Sequence, residues 1–295
     1  MRLHALPTAA LFAASALAQN SKDVKCADGL YMVVARGTGE DKGTGITGEI
    51  AKDVADRVKG SIVNPLDYPA TFQDPDYQDS ETDGVRIMTD VLTNYHRSCP
   101  DGKIAVLGYS QGGQIATDTF CGGTGDGFAE NKPLSTDVVQ DSVVAIIMFG
   151  DPSHVANASY NLGTSKKDGI FPRDNIKMCE DDYSDIIRSY CDTGDTYCDR
   201  GDDEDVHGEY VSRYGDDVAD FLVKQYEDAM KGSAGSTATT SAVTATSTAS
   251  SASETGGAAA TTTPVTTPAN AAGGLTPALL FAAVPLMLAM SEMFF

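Results

Sequence analysis

An α/β fold, a parallel sheet with helices on both faces, is the architecture this sequence predicts. Three observations carry it. Short β-branched apolar runs recur between residues 22 and 232, and stretches with apolar residues at helical spacing separate them. The third is "IAVLGYSQGGQIA" at 104–116, where a strand pattern breaks into glycines around one serine and then turns helical.

The elements follow in order. "LYMVVA" at 30–35 is continuous and β-branched, a strand buried on both faces that ends at "RGTGE". Ile50, Val54 and Val58 repeat at helical spacing, with Gly60 as a stop. "SIVNPLDY" is a weaker strand. Val85, Met88, Leu92 and Tyr95 mark an amphipathic helix that Pro100 terminates. "KIAVLG" at 103–108 and "SVVAIIMFG" at 142–150 are the clearest later strands, and "DIIRSYC" a further one. A last helix places Val211, Tyr214, Val218, Phe221 and Leu222 on one face. Ligands of such sheets sit at the carboxyl ends of the strands.

Both ends of the chain read as processing signals. Arg2 and His4 precede "LPTAALFAASALA" and a small-residue site at Ala16-Leu17-Ala18, the layout of a signal peptide over 1–18. Residues 19–232 form the expected folded domain. Residues 233–274 are almost wholly Ser, Thr, Ala, Gly and Pro, a composition that cannot bury a core and suits an O-glycosylated stalk. Residues 275–295 carry an apolar tail without a basic flank. That pattern predicts a glycosylphosphatidylinositol (GPI) attachment signal rather than a spanning helix, with Asn270 as the attachment residue and the small residues near Gly256 as a rival site. The protein is therefore expected outside the cell, anchored at its surface and monomeric.

Lys and Arg number 21 against 42 Asp and Glu, a net charge of −21. A phosphate backbone would be repelled, which argues against nucleic-acid binding. Six cysteines behind a signal peptide imply disulfides. Zinc fails on spacing, because neither Cys-x-x-Cys nor paired histidines occur. The acidic run "DRGDDED" at 199–205 lacks the alternating ligands of a calcium loop, so no metal is expected. Asn157 opens the one N-glycosylation sequon.

Gly108-Tyr109-Ser110-Gln111-Gly112 matches the nucleophile elbow, a strand-to-helix turn so sharp that glycine must flank the serine. A serine hydroxyl needs a base. Beyond the signal peptide there are three histidines: His96, His154 and His207. The chain order of elbow enzymes, nucleophile then acid then histidine, favours His207, with His154 second. For the acid, "CDTGDTYC" offers Asp195 and Asp192. If Cys191 and Cys198 pair, they hold Asp195 in a small loop twelve residues before His207.

Together "GYSQGG", "ARGTGE", "CDTGDTYC" and the downstream His207 resemble the cutinase and acetylxylan esterase family of fungal secreted serine esterases. The likeness runs from Cys26 to the last helix. It implies a lidless, three-layer α/β-hydrolase-type (flavodoxin-like) sandwich with a five-stranded parallel sheet. It further implies Ser110 as nucleophile, His207 as base, Asp195 as the orienting acid, and an oxyanion hole from Thr38 and the Gln111 amide, with no cofactor. Gly39 departs from the hydroxyl residue that cutinases often carry. The resemblance also implies Cys26–Cys99 and Cys191–Cys198 pairs, which leaves Cys121 with Cys179.

The expected substrate is an ester of a plant cell-wall polymer. "DRGDDEDV" before His207 and "QDPDYQDSETD" at 73–83 are acidic, and desolvating them against wax would be costly. "CGG" at 121–123 also resembles the acetylxylan esterase branch. Acetylated xylan is therefore the first expectation and cutin the second. A catalytically idle, wall-anchored adhesion or signalling protein on the same fold is the reading from another class.

Overall fold

A computed structural model describes residues 24–125 and 127–239. The signal peptide, Asn270 and the apolar tail lie outside the described residues, as does the stalk beyond Thr239. Six strands form one parallel sheet: β1 (Leu30–Ala35), β2 (Ile62–Pro65), β3 (Lys103–Tyr109), β4 (Val143–Phe149), β5 (Asn161–Leu162) and β6 (Ile187–Tyr190). The count is six, not the five expected. The extra strand, β5, has only two residues in "SYNLG", so no apolar run announces it; parallel pairing with Ser189 and Tyr190 creates it.

The helices are α1 (Gly48–Arg57), α2 (Tyr77–Ser98), α3 (Gln111–Cys121), α4 (Thr136–Ser142), α5 (Glu204–Gly208) and α6 (Tyr210–Thr239). Strand residues alternate between two buried layers. Tyr31, Val33, Ile104, Val106 and Ile146 share one with α2 and α3; Leu30, Met32, Val34, Leu107 and Ile147 share the other with α1 and α6. Each buried aliphatic side chain contributes roughly 1.5–3 kcal/mol. This is a three-layer sandwich. The end of the domain, expected at Gly232, falls inside α6, which runs on to Thr239.

Strand order β2-β1-β3-β4-β6-β5 places the topological switch between β1 and β3. There the chain leaves β1 toward one edge and β3 toward the other, so the loops after them diverge and open a crevice. Ser110 follows β3, and Thr38 lies in the loop after β1. Three disulfides brace the frame: Cys26–Cys99, Cys121–Cys179 and Cys191–Cys198.

Between α2 and α3 the core holds charge. Glu81, Asp118 and Arg173 are all buried; Arg173 pairs with Asp118 and also donates to the Gly122 carbonyl. Burial pushes the Glu81 carboxyl up to about 9, and the charge of Asp118 and a hydrogen bond with it add to the rise. Glu81 therefore keeps its proton in the fold and releases it on unfolding near its ordinary value of 4.5. The folded state binds the extra proton, so this stability is present below 4.5 and is lost as pH rises toward 9. Thermal unfolding of the wild type should thus move to lower temperature between pH 5 and pH 8. Glu81→Gln, which keeps a donor without a titrating proton, should flatten that dependence; an equally steep profile in the variant would contradict it.

Candidate active site

The turn at Ser110 shapes the site. Ser110 sits at φ 53°, ψ −120°, outside the regions that L residues favour. Its N–H donates to the Phe149 carbonyl at 2.8 Å, and its own carbonyl accepts from Gly113 at 2.8 Å. Both flanking glycines are sterically required: a Cβ at Gly108 would fall on the Gly112 carbonyl, and one at Gly112 on the Ala35 carbonyl of β1. The turn thus presses the start of α3 against β1 and lifts the Ser110 side chain to the sheet's carboxyl edge. Its hydroxyl makes no hydrogen bond among the described residues.

His207 lies on α5. Its Nδ1 is 2.8 Å from Asp195 Oδ2, and its ring packs between Tyr197 and Tyr109, with centroids 4.5 and 5.0 Å away. With the Nδ1 proton donated to the carboxylate, Nε2 keeps its lone pair. At Gly150 a Cβ would come within 2.7 Å of His207 Cε1, so only glycine leaves the imidazole room beside the end of β4. Tyr109 precedes Ser110 directly, which ties the histidine to the elbow.

Asp195 is fully buried and has every acceptor site engaged. Oδ1 accepts from the Tyr197 and Cys198 amides at 2.7 and 3.0 Å; Oδ2 accepts from His207 and from the Tyr210 hydroxyl at 2.6 Å. Burial alone would push this carboxyl up. The His207 bond and charge, with those from Tyr210 and Cys198, outweigh burial and hold it below the usual carboxylate value. Asp195 stays ionised and fixes the orientation of the His207 ring.

The structure separates these residues from their rivals. Asp192 is buried but spent on Arg213 at 2.7 Å, Tyr214 at 2.8 Å and Thr164 at 3.0 Å. His96 bonds Ser142 at 2.9 Å, where β4 begins, at the opposite edge of the sheet. His154 is buried, and neither ring nitrogen has a hydrogen-bond partner among the described residues. Burial holds its imidazole below the usual value despite Asp151, Asp168, Asp199 and Asp195 around it.

Thr38 and Gln111 are both brought beside Ser110. A Cβ at Gly37 would stand 3.3 Å from Ser110 Cβ, so the Thr38 loop passes against the serine. Buried Arg36 fastens that loop, donating to the carbonyls of Glu40, Leu66, Tyr68 and Pro69. Glu40 closes it from inside, accepting from the Gly37 amide at 2.6 Å and the Ile46 amide at 2.8 Å. Gly39 has φ 79°, which explains why a glycine stands here in place of a hydroxyl residue. Gln111 contributes the first amide of α3, and its side chain bonds Ser80 Oγ and the Thr71 and Tyr77 carbonyls.

Sequence reasoning passed over Tyr210, Tyr197, Arg36 and Gly150. Tyr210 stands one helical turn before the Tyr214 used to define the last helix, so its apolar periodicity was visible while its hydroxyl's task was not. The acidic run before His207 also has structural work. Asp203 caps α5 by accepting from the Asp205 and Val206 amides, and buried Asp199 holds Ser165 Oγ and the Gly194 amide.

Tyr210→Phe should lower kcat about tenfold, since Asp195 loses one of its two Oδ2 donors. The Asp192 amide, which donates to the Tyr210 oxygen at 3.0 Å, loses its partner too, at a cost of roughly 1–3 kcal/mol in stability. Steady-state ester hydrolysis beside thermal unfolding checks both, and an unchanged kcat would remove Tyr210 from the positioning of the acid.

Comparison with known proteins gives the family of the chain. A family model described as Cutinase matches residues 26–226. The chain is 31% identical over 204 residues to an acetylxylan esterase of Hypocrea jecorina, covering 66% of this chain and 67% of that one. It is 29% identical over 219 residues to Cutinase 11 of Verticillium dahliae, covering 72% of each. Among solved structures, the catalytic core domain of acetyl xylan esterase from Trichoderma reesei superposes with a TM-score of 0.63 at 31% identity, over 68% of this chain and all of that one. With its parallel sheet, its serine elbow and these matches, the chain belongs to the cutinase family and is a carboxylic ester hydrolase.

Proposed function

We propose that this hydrolase removes acetyl groups from acetylated xylan through Ser110, His207 and Asp195. The observation that carries the mechanism is the Asp195–His207 pair at 2.8 Å, seated against Tyr109 and Gly150 beside the strained Ser110 turn. His207 Nε2 takes the Ser110 proton as Oγ attacks the ester carbonyl. Donors at Thr38 and the Gln111 amide stabilise the oxyanion, each worth about 2.7–4 kcal/mol in comparable sites. Collapse transfers the His207 proton to the leaving sugar hydroxyl. Water, deprotonated by the same histidine, then releases acetate.

Two observations support the acetyl–xylan reading. The relatives named above include an acetylxylan esterase and the catalytic core of one, matching over about two thirds of this chain. Around the base, Asp202, Glu204 and Asp205 stay exposed, a surface that a hydrated glycan can meet with hydroxyls. Cutin is the second reading, favoured by the exposed apolar side chain of Ile170 and by the cutinase relative. Secretion, the O-glycosylated stalk and a lipid anchor at Asn270 complete the proposal. Asn157 of the glycosylation sequon is exposed, as a modified residue must be.

Ser110→Ala should lower kcat by about 10⁴-fold or more and abolish labelling by a fluorophosphonate probe. His207→Ala should be comparably impaired, while His154→Ala keeps at least a tenth of wild-type turnover; the reverse pattern would reassign the base. In a chain-length series of p-nitrophenyl esters, acetate should be the best substrate, with acetylated xylan cleaved in preference to cutin. On intact cells, phosphatidylinositol-specific phospholipase C should release active enzyme into the medium. Retention, with the apolar tail still detectable by mass spectrometry, would refute the anchor.

A further inference from the structure

Phe72 is the most exposed large apolar side chain among the described residues, with 52% of its surface open to solvent. It lies at the carboxyl edge of the sheet, in the loop between β2 and α2, and this loop is tied to the elbow. The Thr71 carbonyl accepts from Gln111 Nε2 at 3.2 Å, and the Thr71 amide donates to Ser80 Oγ at 3.1 Å. Ser80 Oγ in turn donates to Gln111 Oε1 at 3.0 Å. The ring therefore projects one residue beyond a backbone group held by the neighbour of Ser110.

That ring is braced from beneath. Tyr77 meets it at 6.4 Å in a T-shaped contact. Tyr77 itself is fixed by its hydroxyl bond to Gln114 Oε1 at 2.9 Å and by the rings of Phe171 and Phe128, 5.7 and 6.2 Å away. A braced aromatic ring held open at the carboxyl edge of the sheet, where ligands of such folds bind, is placed to meet a ligand. Its surroundings identify the contact. Gln73 and Asp74, which follow it, are exposed and polar, with one donor–acceptor amide and one acceptor carboxylate. A flat apolar face rimmed by hydrogen-bonding groups matches a pyranose ring, whose C–H face meets the negative aromatic face while its hydroxyls reach the rim. A long acyl chain would instead need a continuous exposed apolar track, whereas the Tyr77, Phe128 and Phe171 rings behind Phe72 are half-buried and leave Phe72 the one exposed ring of the four.

We propose that Phe72 is a stacking platform for a pyranose ring of the polysaccharide, and so a specificity-determining residue for the polymer. This rests on the acetylated-polysaccharide reading. The platform binds the glycan chain, not the acetyl group, so it acts on ligands that carry no ester.

The test has two arms on the full-length protein. In the first, unacetylated xylohexaose is titrated into Ser110→Ala and into the Ser110→Ala, Phe72→Ala double variant. Affinity should fall at least fivefold in the double variant, be regained with Phe72→Trp, and not be regained with Phe72→Leu, which is apolar but not planar. In the second, kcat/KM on acetylated xylan is divided by kcat/KM on ethyl acetate, which has no ring. Phe72→Ala should lower that ratio at least tenfold, mainly through KM on the polymer. Equal xylohexaose affinity with and without Phe72, or restoration by leucine, overturns the platform. A loss confined to butyrate and longer esters overturns it in favour of an acyl-chain site. Failure of the wild type to deacetylate xylan defeats the proposed substrate, whereas the xylohexaose titration still decides the platform on its own.

Discussion

The site depends on one backbone constraint, the positive φ at Ser110. Holding a non-glycine residue there costs of the order of 1–3 kcal/mol, and the surrounding structure must supply it. It does so through the hydrogen bonds to Phe149 and Gly113 and through contact of Gly112 with the backbone of β1. Because that contact reaches across the switch between β1 and β3, the turn also sets the width of the crevice. The loop after β1 can then lie against the serine only because Gly37 has no side chain to intervene. Relaxing the turn would displace both walls together.

The second ordering principle is electrostatic. The chain carries a net charge of −21, yet the acids near the site are mostly committed. Asp195 and Asp192 divide the small Cys191–Cys198 loop between them, one turned to His207 and the other to Arg213 on α6. Asp199 and Asp203 fasten the following segment and the N-terminus of α5. An acidic run that looks like solvated surface in sequence is in part the scaffold that delivers His207. Amide and hydroxyl donors satisfy these carboxylates, so the cluster holds without a cation at each position.

The legibility of the fold followed the strength of each pattern. β1, β3 and β4 were plain because both their faces are buried, so their residues are continuously apolar. β5 was invisible because two residues cannot show a period, and α4 and α5 were missed for the same reason of length. At the site, Ser110 could be read because glycine requirements are local. The Asp195–His207 pairing could be narrowed by chain order and the cysteine frame. Tyr210, Arg36 and Gly150 could not, because their roles depend on partners far along the chain, Arg36 reaching carbonyls 30 to 33 residues away. The burial of Glu81 beside Asp118 was equally hidden, since an acid on a helix reads as solvent-facing until its neighbour is known.

Gln111 holds two posts at once. Its backbone amide opens α3 next to the serine, while its fully buried side chain clasps Thr71, in the loop that carries Phe72, together with Tyr77 and Ser80 in the first turn of α2. Chemistry and substrate rim therefore share a single mechanical joint. A lineage that drifts toward a new polymer by remodelling this loop would disturb the joint and, with it, the turn. Successful drift would need paired changes at Ser80 or Thr71 that keep the glutamine's three contacts, so the evolutionary paths open to the rim are correlated ones. Such epistasis confines variation in breadth of substrate to loops that Gln111 does not touch, such as the 165–171 segment beside Tyr197.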